Sequence, residues 1–318
     1  MKETTVPIYL IAGFLESGKT SFLGFTLEQE YFQVDGKTLL IVCEEGEEEY
    51  DRATLAMYNT VVEVIESEEE FTTEKLYTLD MKHKPERVAI EYNGMWLVSR
   101  LREMKLPSGW GIEQHIVVAD ASTFQVYIQN MKSLFMDMVK GADMVIFNRS
   151  SMDLPLANFR RSIKVSNPSC EVIFENETGE IDDIFKDEMP FDVDAPVIEI
   201  PPEDYGIWFV DATDHPEKYD GKEIHFTARV RRPPVGMRRN EFVPGRTAMT
   251  CCADDTTFLG YICEYDKAVQ LKNGQWIDLK AHIRVEERPE YRGEEGVVLI
   301  ADSIRPCAPL ADEMVYFN

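Results

Sequence analysis

One short segment near the start of the chain restricts the possible fold more than any other feature of the sequence. It follows an apolar run at residues 7–12 and opens a helical pattern at residues 19–29. The segment fits the pattern GxxxxGK[ST] and reads Gly13-Phe14-Leu15-Glu16-Ser17-Gly18-Lys19-Thr20. The glycines let main-chain N–H groups turn inward, and the helix N-terminus adds a partial positive charge. A strand, this loop and a helix in succession therefore predict a P-loop that cradles phosphate groups.

The chemistry of a P-loop assigns roles to its side chains. Lys19 is expected to reach the β- and γ-phosphates of a nucleoside triphosphate, and Thr20 is expected to bind Mg²⁺. The remaining nucleotide-binding candidates of the segment are Gly13, Gly18 and Ser21. The alternative is an ordinary glycine-rich turn between a strand and a helix.

The first 190 residues alternate between short apolar runs and helical patterns. The predicted strands are residues 7–12, 38–43, 87–92, 115–120, 144–148 and 171–174. A helix is predicted at residues 122–140, with Phe124, Ile128, Met131 and Phe135 on one face. Because strands that alternate with helices form mostly parallel sheets, residues 1–190 are predicted to be an α/β P-loop domain.

The pattern changes beyond residue 190. Residues 191–205 contain three prolines and several acids, which predicts a linker. Little helix is expected after it. Strand-like runs follow at residues 222–232, 246–252, 258–265, 276–284 and 296–304. Residues 206–318 are therefore predicted to be a small all-β domain, an OB-like barrel.

Charge and hydropathy exclude several classes of function. The formal net charge of the 318 residues is −25, which argues against a nucleic-acid partner because phosphate backbones would be repelled. The sequence has no apolar run of about 18 residues, so it is not expected to span a membrane. The short polar start is not expected to be a signal peptide. We therefore expect a cytoplasmic protein with reduced cysteines.

Several segments, in the same order along the chain, resemble motifs of the CobW-type GTPases, which are relatives of the UreG and HypB metallochaperones. The P-loop is similar to TGFLGAGKTT, and later segments are similar to the NEFG…D, IETTG, VVDA, ADIVLNK and NP motifs of that family. The matching stretches here are residues 43–51, 90–94, 117–121, 142–148 and 167–168. The resemblance covers about residues 6–187.

This resemblance implies GTP hydrolysis with GTP and Mg²⁺ bound. It places Glu44 and Glu91 near Mg²⁺ or the attacking water, which makes them catalytic candidates together with Lys19. It places Asp51 in a mobile switch region. The alternative for Glu44 and Asp51 is that they belong to a solvated acidic loop, since residues 44–51 form an acidic cluster.

The base-reading motif NKxD of the family is altered here. The corresponding stretch reads Asn148-Arg149-Ser150-Ser151-Met152-Asp153. Asn148 is in place, whereas Ser151 stands where the aspartate is expected and Asp153 comes two positions later. Asn148 and Asp153 are the base-binding candidates, and the preference for GTP over ATP stays open.

A second departure concerns metal. Many CobW-type proteins carry CxCC after their second strand, but the corresponding residues 63–71 contain no cysteine. The carboxylates of the five glutamates in this stretch could hold a harder or weaker metal. The alternative is the acidic start of a helix, where carboxylates are favoured by the helix dipole.

Three segments of the second half, at residues 219–224, 250–255 and 274–277, resemble the C-terminal domain of the YcgQ-like proteins, which are encoded beside predicted permeases. The adjacent pair Cys251 and Cys252 is its most distinctive feature and the candidate zinc site. Neighbouring side chains of a strand point to opposite faces, so sharing one Zn²⁺ requires a bulge. Further ligand candidates are Cys263, Cys307, His225 and His282. The alternative is that these cysteines are small buried hydrophobic residues.

Taken together, the sequence predicts a CobW-type P-loop GTPase that acts as a metallochaperone or regulator in zinc homeostasis. A metal-receiving client protein or a permease is the expected partner, and a homodimer stays open. The alternative is a weakly hydrolytic nucleotide-binding protein that regulates a membrane permease. An ATP-dependent enzyme acting on a small molecule is a third possibility.

Overall fold

The computed structural model describes residues 5–44, 46, 48–181, 189–232, 237–252, 255–291 and 293–315; at residues 250–252 and 255 only the backbone is described. The described residues form two compact units. The first contains residues 5–156 and 169–181, and the second contains residues 157–168 and 189–315, less the gaps given above.

Seven parallel strands form the sheet of the first unit, and an eighth adds an antiparallel hairpin at one edge. The strands are β1 (Val6–Ala12), β2 (Thr38–Val42), β3 (Thr60–Val64), β4 (Arg87–Glu91), β5 (Trp110–Asp120), β6 (Met144–Asn148), β7 (Glu171–Asn176) and β8 (Gly179–Glu180). Their order is β3-β2-β4-β1-β5-β6-β7-β8, so β1 lies between β4 and β5. The prediction of a mostly parallel α/β sheet is confirmed.

In the described residues of the first unit, the helices between these strands are α1 (Lys19–Glu28), α2 (Arg52–Met57), α3 (Thr73–His83), α4 (Val98–Glu103) and α5 (Phe124–Val139). Helix α3 begins where Thr72 Oγ1 accepts a hydrogen bond from the Lys75 N–H at 3.2 Å. It ends at Lys84, which has a φ of 49°, and Lys82 and His83 in its last turn complement the helix dipole. None of the helices in the described part of the chain has both the length and the apolar character needed to cross a membrane.

The carboxyl ends of the parallel strands meet along one edge of the sheet. Glu91 at the end of β4 is in register with Ile11 of β1 on one side and Val42 of β2 on the other. At the ends of β5 and β6, Asp120 is in register with Asn148. The loops that follow these five strands therefore share one edge, which is where open α/β sheets bind ligands.

The core of the second unit is a closed barrel. Its strands are β9 (Ile198–Glu199), β10 (Glu223–Arg231), β11 (Glu241–Cys252), β12 (Asp255–Gly260), β13 (Ile262–Glu264), β14 (Trp276–Glu287), β15 (Glu295–Pro306) and β16 (Met314–Val315). The ring runs β10-β11-β13-β15-β14 and returns to β10. Strands β9, β12 and β16 pair with β10 and β11 outside this ring. The prediction of a small β-barrel after the P-loop domain is confirmed.

The part of the second unit that the structure describes contains the helices α6 (Leu156–Ser166), from residue 157 onward, and α7 (Tyr205–Asp214). Helix α7 shows that the expectation of little helix in the second half is wrong. Its buried residues are Tyr205, Gly206, Trp208, Phe209, Val210 and Ala212. Because these residues surround most of the helix axis, the sequence lacks the polar face by which an amphipathic helix is recognised.

The predicted linker at residues 191–205 differs from the structure. Ile198 is fully buried in the hydrophobic core of the second unit, and β9 pairs in parallel with β10. Arg246 of β11 is only 2% exposed, and it donates a hydrogen bond to the carbonyl oxygen of Pro202 at 2.7 Å. The segment is therefore part of the barrel unit, and its prolines lie beside short elements rather than in a free connection.

The interpretation of residues 63–71 as the start of a helix is wrong. Glu63 lies on β3, where its Oε1 accepts from Lys82 Nζ at 2.5 Å and lies 2.6 Å from His83 Nε2. The helix that follows begins only at Thr73. The prediction failed because β3 contains a glutamate and so lacks a continuous apolar run.

The predicted apolar face of the helix at residues 122–140 is only partly correct. Phe124 and Phe135 are buried, whereas Ile128 and Met131 are half-buried. Helix α5 is kinked at Met131, which has φ −132° and ψ 34°. The kink changes the phase of the helix, so the spacing of one regular helix does not apply across it.

Candidate functional site

Close packing of the main chain fixes the loop between β1 and α1. Gly13 has a φ of 143°, and a Cβ atom there would overlap the carbonyl oxygen of Val118. A Cβ atom at Gly94, in the turn after β4, would overlap the carbonyl oxygen of Gly13. Gly18, with a φ of 96°, is the N-cap residue of α1 and supplies no side chain to cap its first N–H groups. The P-loop thus requires glycine at these positions for steric reasons.

Lys19 is a buried cation at this edge of the sheet. Its side chain is only 3% exposed. Its Nζ donates to the carbonyl oxygen of Phe14 at 2.8 Å and to Glu44 Oε2 at 2.6 Å. The side chain of Glu44, which follows β2, is 9% exposed, so the two form a buried ion pair. The structure brings these two predicted residues into direct contact.

Glu91 is the second predicted carboxylate, and it is held from two sides. Its Oε1 accepts a hydrogen bond from Thr20 Oγ1 at 3.0 Å, and its Oε2 accepts one from the phenol of Tyr50. Burial raises the pKa of Glu91, although these hydrogen bonds and the charge of Lys19 oppose the rise. Burial and the charge of Glu91 raise the pKa of Tyr50, so its phenol keeps its proton and acts as the donor.

A narrow cavity of about 30 Å³ lies among these groups. It is lined by Leu15, Glu16, Gly18, Lys19, Thr20, Glu44, Gly46, Glu48, Glu91 and Arg149. At its edge, Ser21 Oγ donates a hydrogen bond to the carboxylate of Glu48. A wider recess of about 230 Å³ adjoins Thr20 and reaches Tyr50 and the apolar side chains of Val62 and Val64.

The predicted magnesium ligands fit a hard cation. Thr20 and Glu91 lie within hydrogen-bond distance of each other, and Glu44 lines the same cavity while it faces Lys19. All three supply oxygen atoms, the ligand type that Mg²⁺ prefers. The donor set is therefore suitable for Mg²⁺.

The side of the P-loop next to β6 carries the base-binding candidates. Asn148 Nδ2 donates to the carbonyl oxygen of Ser17 at 2.6 Å. Arg149 has a left-handed φ of 49°, and its guanidinium donates to the carbonyl oxygen of Glu16 at 3.0 Å and to Asp120 Oδ2 at 2.5 Å. Asn148 and Arg149 thus tie the ends of β5 and β6 to the P-loop.

Two predicted acids, Asp153 and Asp51, do not line the narrow cavity at the P-loop. Asp153 is exposed in the turn after β6, where its N–H faces Ser151 Oγ at 3.4 Å, and it is not a lining residue. Asp51 is the N-cap of α2, and its Oδ1 accepts from the N–H groups of Ala53 at 3.0 Å and Thr54 at 3.3 Å. Hydrogen bonds from Thr54 and Ala53 lower the pKa of Asp51. The structure thus gives Asp51 a capping role.

The cysteines of the candidate zinc site do not form a cluster in the part of the barrel whose side chains are described. The side chains of Cys251 and Cys252 lie outside that part, although the register of β11 shifts between Met249 and Cys252. Cys263 is buried in β13, where burial raises the pKa of its thiol. Cys307 is exposed after β15. Zinc binding by Cys251 and Cys252 stays a prediction.

The two histidines proposed as additional ligands each face carboxylates. His225 Nδ1 lies 2.6 Å from Glu199 Oε2, and its Nε2 lies 3.0 Å from Asp278 Oδ2. His282 Nδ1 lies 3.1 Å from Asp302 Oδ1. Among the side chains that the structure describes, no three His, Cys, Asp or Glu residues converge in a way that could hold a metal ion.

Sequence reasoning missed two contacts at this edge. Tyr50 reaches Glu91, which lies 41 positions later, and no spacing in the sequence indicates that contact. Glu48 was recognised only as part of the acidic cluster, and its contact with Ser21 depends on the path of the loop after β2. Both contacts are tertiary, so a single sequence holds no signal for them.

The segments that form this edge match a known family. A family model described as CobW/HypB/UreG, nucleotide-binding domain, matches residues 7–173, which is more than half of the chain. The chain belongs to this family. A second model, described as the DUF1980 C-terminal domain, matches residues 177–316. Both resemblances predicted from the sequence are confirmed.

Solved structures are similar over parts of the chain. The Zn(II)-bound YjiA GTPase from E. coli is 20% identical over 57% of this chain, with a TM-score of 0.41, and this chain spans 60% of its length. The hydrogenase maturation factor HypB from Archaeoglobus fulgidus is 18% identical over 56% of this chain and 84% of its own, with a TM-score of 0.42. The mitochondrial single-stranded DNA binding protein Rim1 from S. cerevisiae is 12% identical over 27% of this chain and 95% of its own, with a TM-score of 0.18. The comparison with curated proteins gave no match.

Proposed function

We propose that the chain is a nucleoside triphosphate hydrolase of the GTPase type, which binds GTP with Mg²⁺ at the strand-end edge of its first unit. The observation that carries this proposal is the arrangement around Lys19. The lysine is 3% exposed and lies over the main chain of the P-loop, and Thr20 and Glu91 lie beside it. Membership of the CobW/HypB/UreG family supports the same activity.

In this proposal the P-loop binds the phosphates through its main-chain N–H groups and the Lys19 charge. Lys19 Nζ already has an anionic partner, because Glu44 Oε2 lies 2.6 Å away. A phosphate oxygen would take the place of that carboxylate oxygen or share the lysine with it. Phosphate binding would therefore release Glu44 toward the cavity, where it would contact Mg²⁺ or orient the attacking water.

Thr20, Glu91 and the released Glu44 are the residues that would hold Mg²⁺. When bound, Mg²⁺ supplies positive charge that offsets the charge developing on the transferred phosphoryl group. Ser21 would contribute its hydroxyl to the phosphates after leaving Glu48. Asn148 and Arg149, which contact the P-loop beside β6, would lie on the side of the base.

We also propose that hydrolysis serves metal homeostasis, with the chain acting as a metallochaperone or a regulator. Family membership supports this role, and the adjacent Cys251 and Cys252 are the zinc candidates. Soft thiolates suit Zn²⁺, whereas the acidic residues 63–71 in the first unit do not form a soft site. A client protein or a permease would receive the metal or respond to the nucleotide state.

The test is nucleotide hydrolysis by the purified full-length chain, with GTP and ATP compared in the presence and absence of added zinc. Lys19→Ala should lower the affinity for a fluorescent GTP analogue by more than about 100-fold, since the lysine supplies a charge-assisted contact to the phosphates. The melting temperature should change little by comparison. Lys37→Ala, at an exposed lysine, is the matched control.

Unchanged affinity in Lys19→Ala would contradict the P-loop assignment. Tight binding without measurable turnover of either nucleotide would instead favour the alternative function, a nucleotide-binding regulator of a membrane permease. Turnover that depends on zinc, and that Cys251→Ser removes, would support the metal role.

A further inference from the structure

Tyr50 has a polar contact that its position in the sequence does not indicate. Its ring is half-buried and packs against the hydrophobic cluster that contains Leu23, Leu27 and Leu55. Its phenol reaches past this cluster and donates a hydrogen bond to Glu91 Oε2. The side chain is thus anchored at its ring and directed at one carboxylate oxygen.

The second oxygen of Glu91 faces the P-loop. Glu91 Oε1 accepts from Thr20 Oγ1 at 3.0 Å, so the two carboxylate oxygens have different partners. The terminal torsion of a glutamate is broad and nearly two-fold, and a carboxylate with a single partner can rotate. The contact with Tyr50 therefore restricts the orientation that Glu91 presents to Thr20.

The segment that contains Tyr50 has further contacts on either side of it. Asp51, the next residue, caps α2 through the N–H groups of Ala53 and Thr54. At the other end of the segment, Glu44 is held by Lys19. The chain between β2 and α2 is thus attached to the P-loop at Lys19 and to the end of β4 at Glu91.

We propose that Tyr50 is a positioning residue for Glu91, which keeps Oε1 beside Thr20 and so prepares this edge for Mg²⁺. This inference rests on the proposed function, in which Thr20 and Glu91 hold the magnesium that accompanies the nucleotide. In this role Tyr50 would contact neither nucleotide nor metal. It acts only through the carboxylate.

The test is Tyr50→Phe, which removes the hydroxyl and keeps the ring. The affinity for a fluorescent GTP analogue is measured with excess Mg²⁺ and again with EDTA. We expect the gain in affinity that Mg²⁺ provides to fall about tenfold, the size expected for a lost hydrogen bond to a charged group, while the affinity in EDTA stays unchanged. The Mg²⁺ concentration for half-maximal turnover should rise by a similar factor.

Two further variants make the outcome specific. Tyr31→Phe, at a tyrosine that is 80% exposed, should leave both affinities unchanged. In a Glu91→Gln background, Tyr50→Phe should have little additional effect on the Mg²⁺-dependent gain, because residues that act through one another are not additive.

Equal losses of affinity with Mg²⁺ and with EDTA would overturn the proposal and assign Tyr50 a structural role. An unchanged Mg²⁺-dependent gain would overturn it as well. Failure of the proposed function is a different result, because the wild-type chain would then bind the analogue in neither condition.

Discussion

Each unit of the chain contains a buried ion pair, and the two pairs are enclosed in different ways. In the first unit, Lys19 Nζ lies 2.6 Å from Glu44 Oε2, with side-chain exposures of 3% and 9%. In the barrel, a guanidinium nitrogen of Arg288 lies 2.7 Å from Glu241 Oε1, with exposures of 5% and 1%. Distance and burial alone therefore do not distinguish them.

The barrel pair belongs to a closed network. Arg288 also faces Glu286 at 3.3 Å and Glu290 at 3.5 Å, and Glu241 accepts a further hydrogen bond from the Arg238 N–H at 2.8 Å. This network encloses both charges. Because the pair is enclosed, removing one partner leaves the charge of the other buried.

The pair at the P-loop is open by comparison. Apart from Glu44, Lys19 Nζ contacts a main-chain carbonyl, and both side chains line a cavity. In the proposed function, a ligand with anionic oxygen atoms would replace the carboxylate of Glu44 at Lys19. The difference teaches that a buried ion pair indicates a binding site only where its side chains line a cavity that an alternative partner can enter.

The largest effect should come from breaking the closed pair. Arg288→Met leaves the buried carboxylate of Glu241 with only the more distant Arg238 guanidinium, whose Nε lies 3.7 Å away. Removing one partner of a buried ion pair typically costs about 3–5 kcal/mol. Urea denaturation should show this loss in the transition of the barrel. Arg284→Met is the matched control, since Arg284 is 45% exposed and pairs with two carboxylates at the surface. We expect that control to lose less than about 1 kcal/mol. Equal stability of Arg288→Met and the wild type would contradict the distinction between the closed pair of the barrel and the open pair of the P-loop.

The sequence pattern is clearest in strands whose residues are buried on both faces. All five residues of β2 and all five of β4 are buried, and the apolar runs at residues 39–42 and 88–90 indicate both strands. In β3 only Thr60 is fully buried, and the strand contains Glu63, so its pattern is indistinct. The extra helix α7 was missed for the opposite reason, because it is apolar on most sides.

The candidate site was predictable where the backbone demands a residue type. Gly13 and Gly18 are required by their positive φ angles, and the spacing to Lys19 is local. Resemblance to the family pointed to Glu44 and Glu91, and the structure places both around the lysine. Tyr50 was not predictable, since its contact depends on the folding of a loop onto a distant strand.

A smaller effect should follow from neutralising the open pair. Glu44→Gln removes the charge that competes with phosphate for Lys19, so the affinity for a GTP analogue in EDTA should increase about tenfold, reflecting the removal of one charge-assisted contact. Measuring without Mg²⁺ separates this effect from any contact between Glu44 and the metal. Turnover with Mg²⁺ should decrease, since Glu44 is a catalytic candidate.

The control for net charge is Glu49→Gln, at an exposed glutamate of the same acidic segment. It should change the affinity in EDTA by less than about twofold, because exposed charges are screened. If both variants raise the affinity equally, the effect is long-range, and the open pair does not compete with phosphate.

The smallest expected effect concerns the preference for one nucleotide base over another. A third ion pair extends the comparison to this part of the site. Arg149 pairs with Asp120 at 2.5 Å, but Arg149 is 53% exposed, so this pair is neither closed nor buried. The position for a base-reading aspartate is Ser151, whose one hydroxyl oxygen cannot reproduce the contacts that the two oxygens of a carboxylate make to the guanine donors. Sites built on paired hydrogen bonds discriminate strongly, and a site without them does not.

We therefore expect GTP to bind less than about tenfold more tightly than ATP, measured by competition against the fluorescent analogue, and Asp153→Ala to leave that ratio unchanged. Ser151→Asp should raise it by supplying the missing acceptors. A large preference for GTP that Asp153→Ala abolishes would show instead that this exposed acid reads the base.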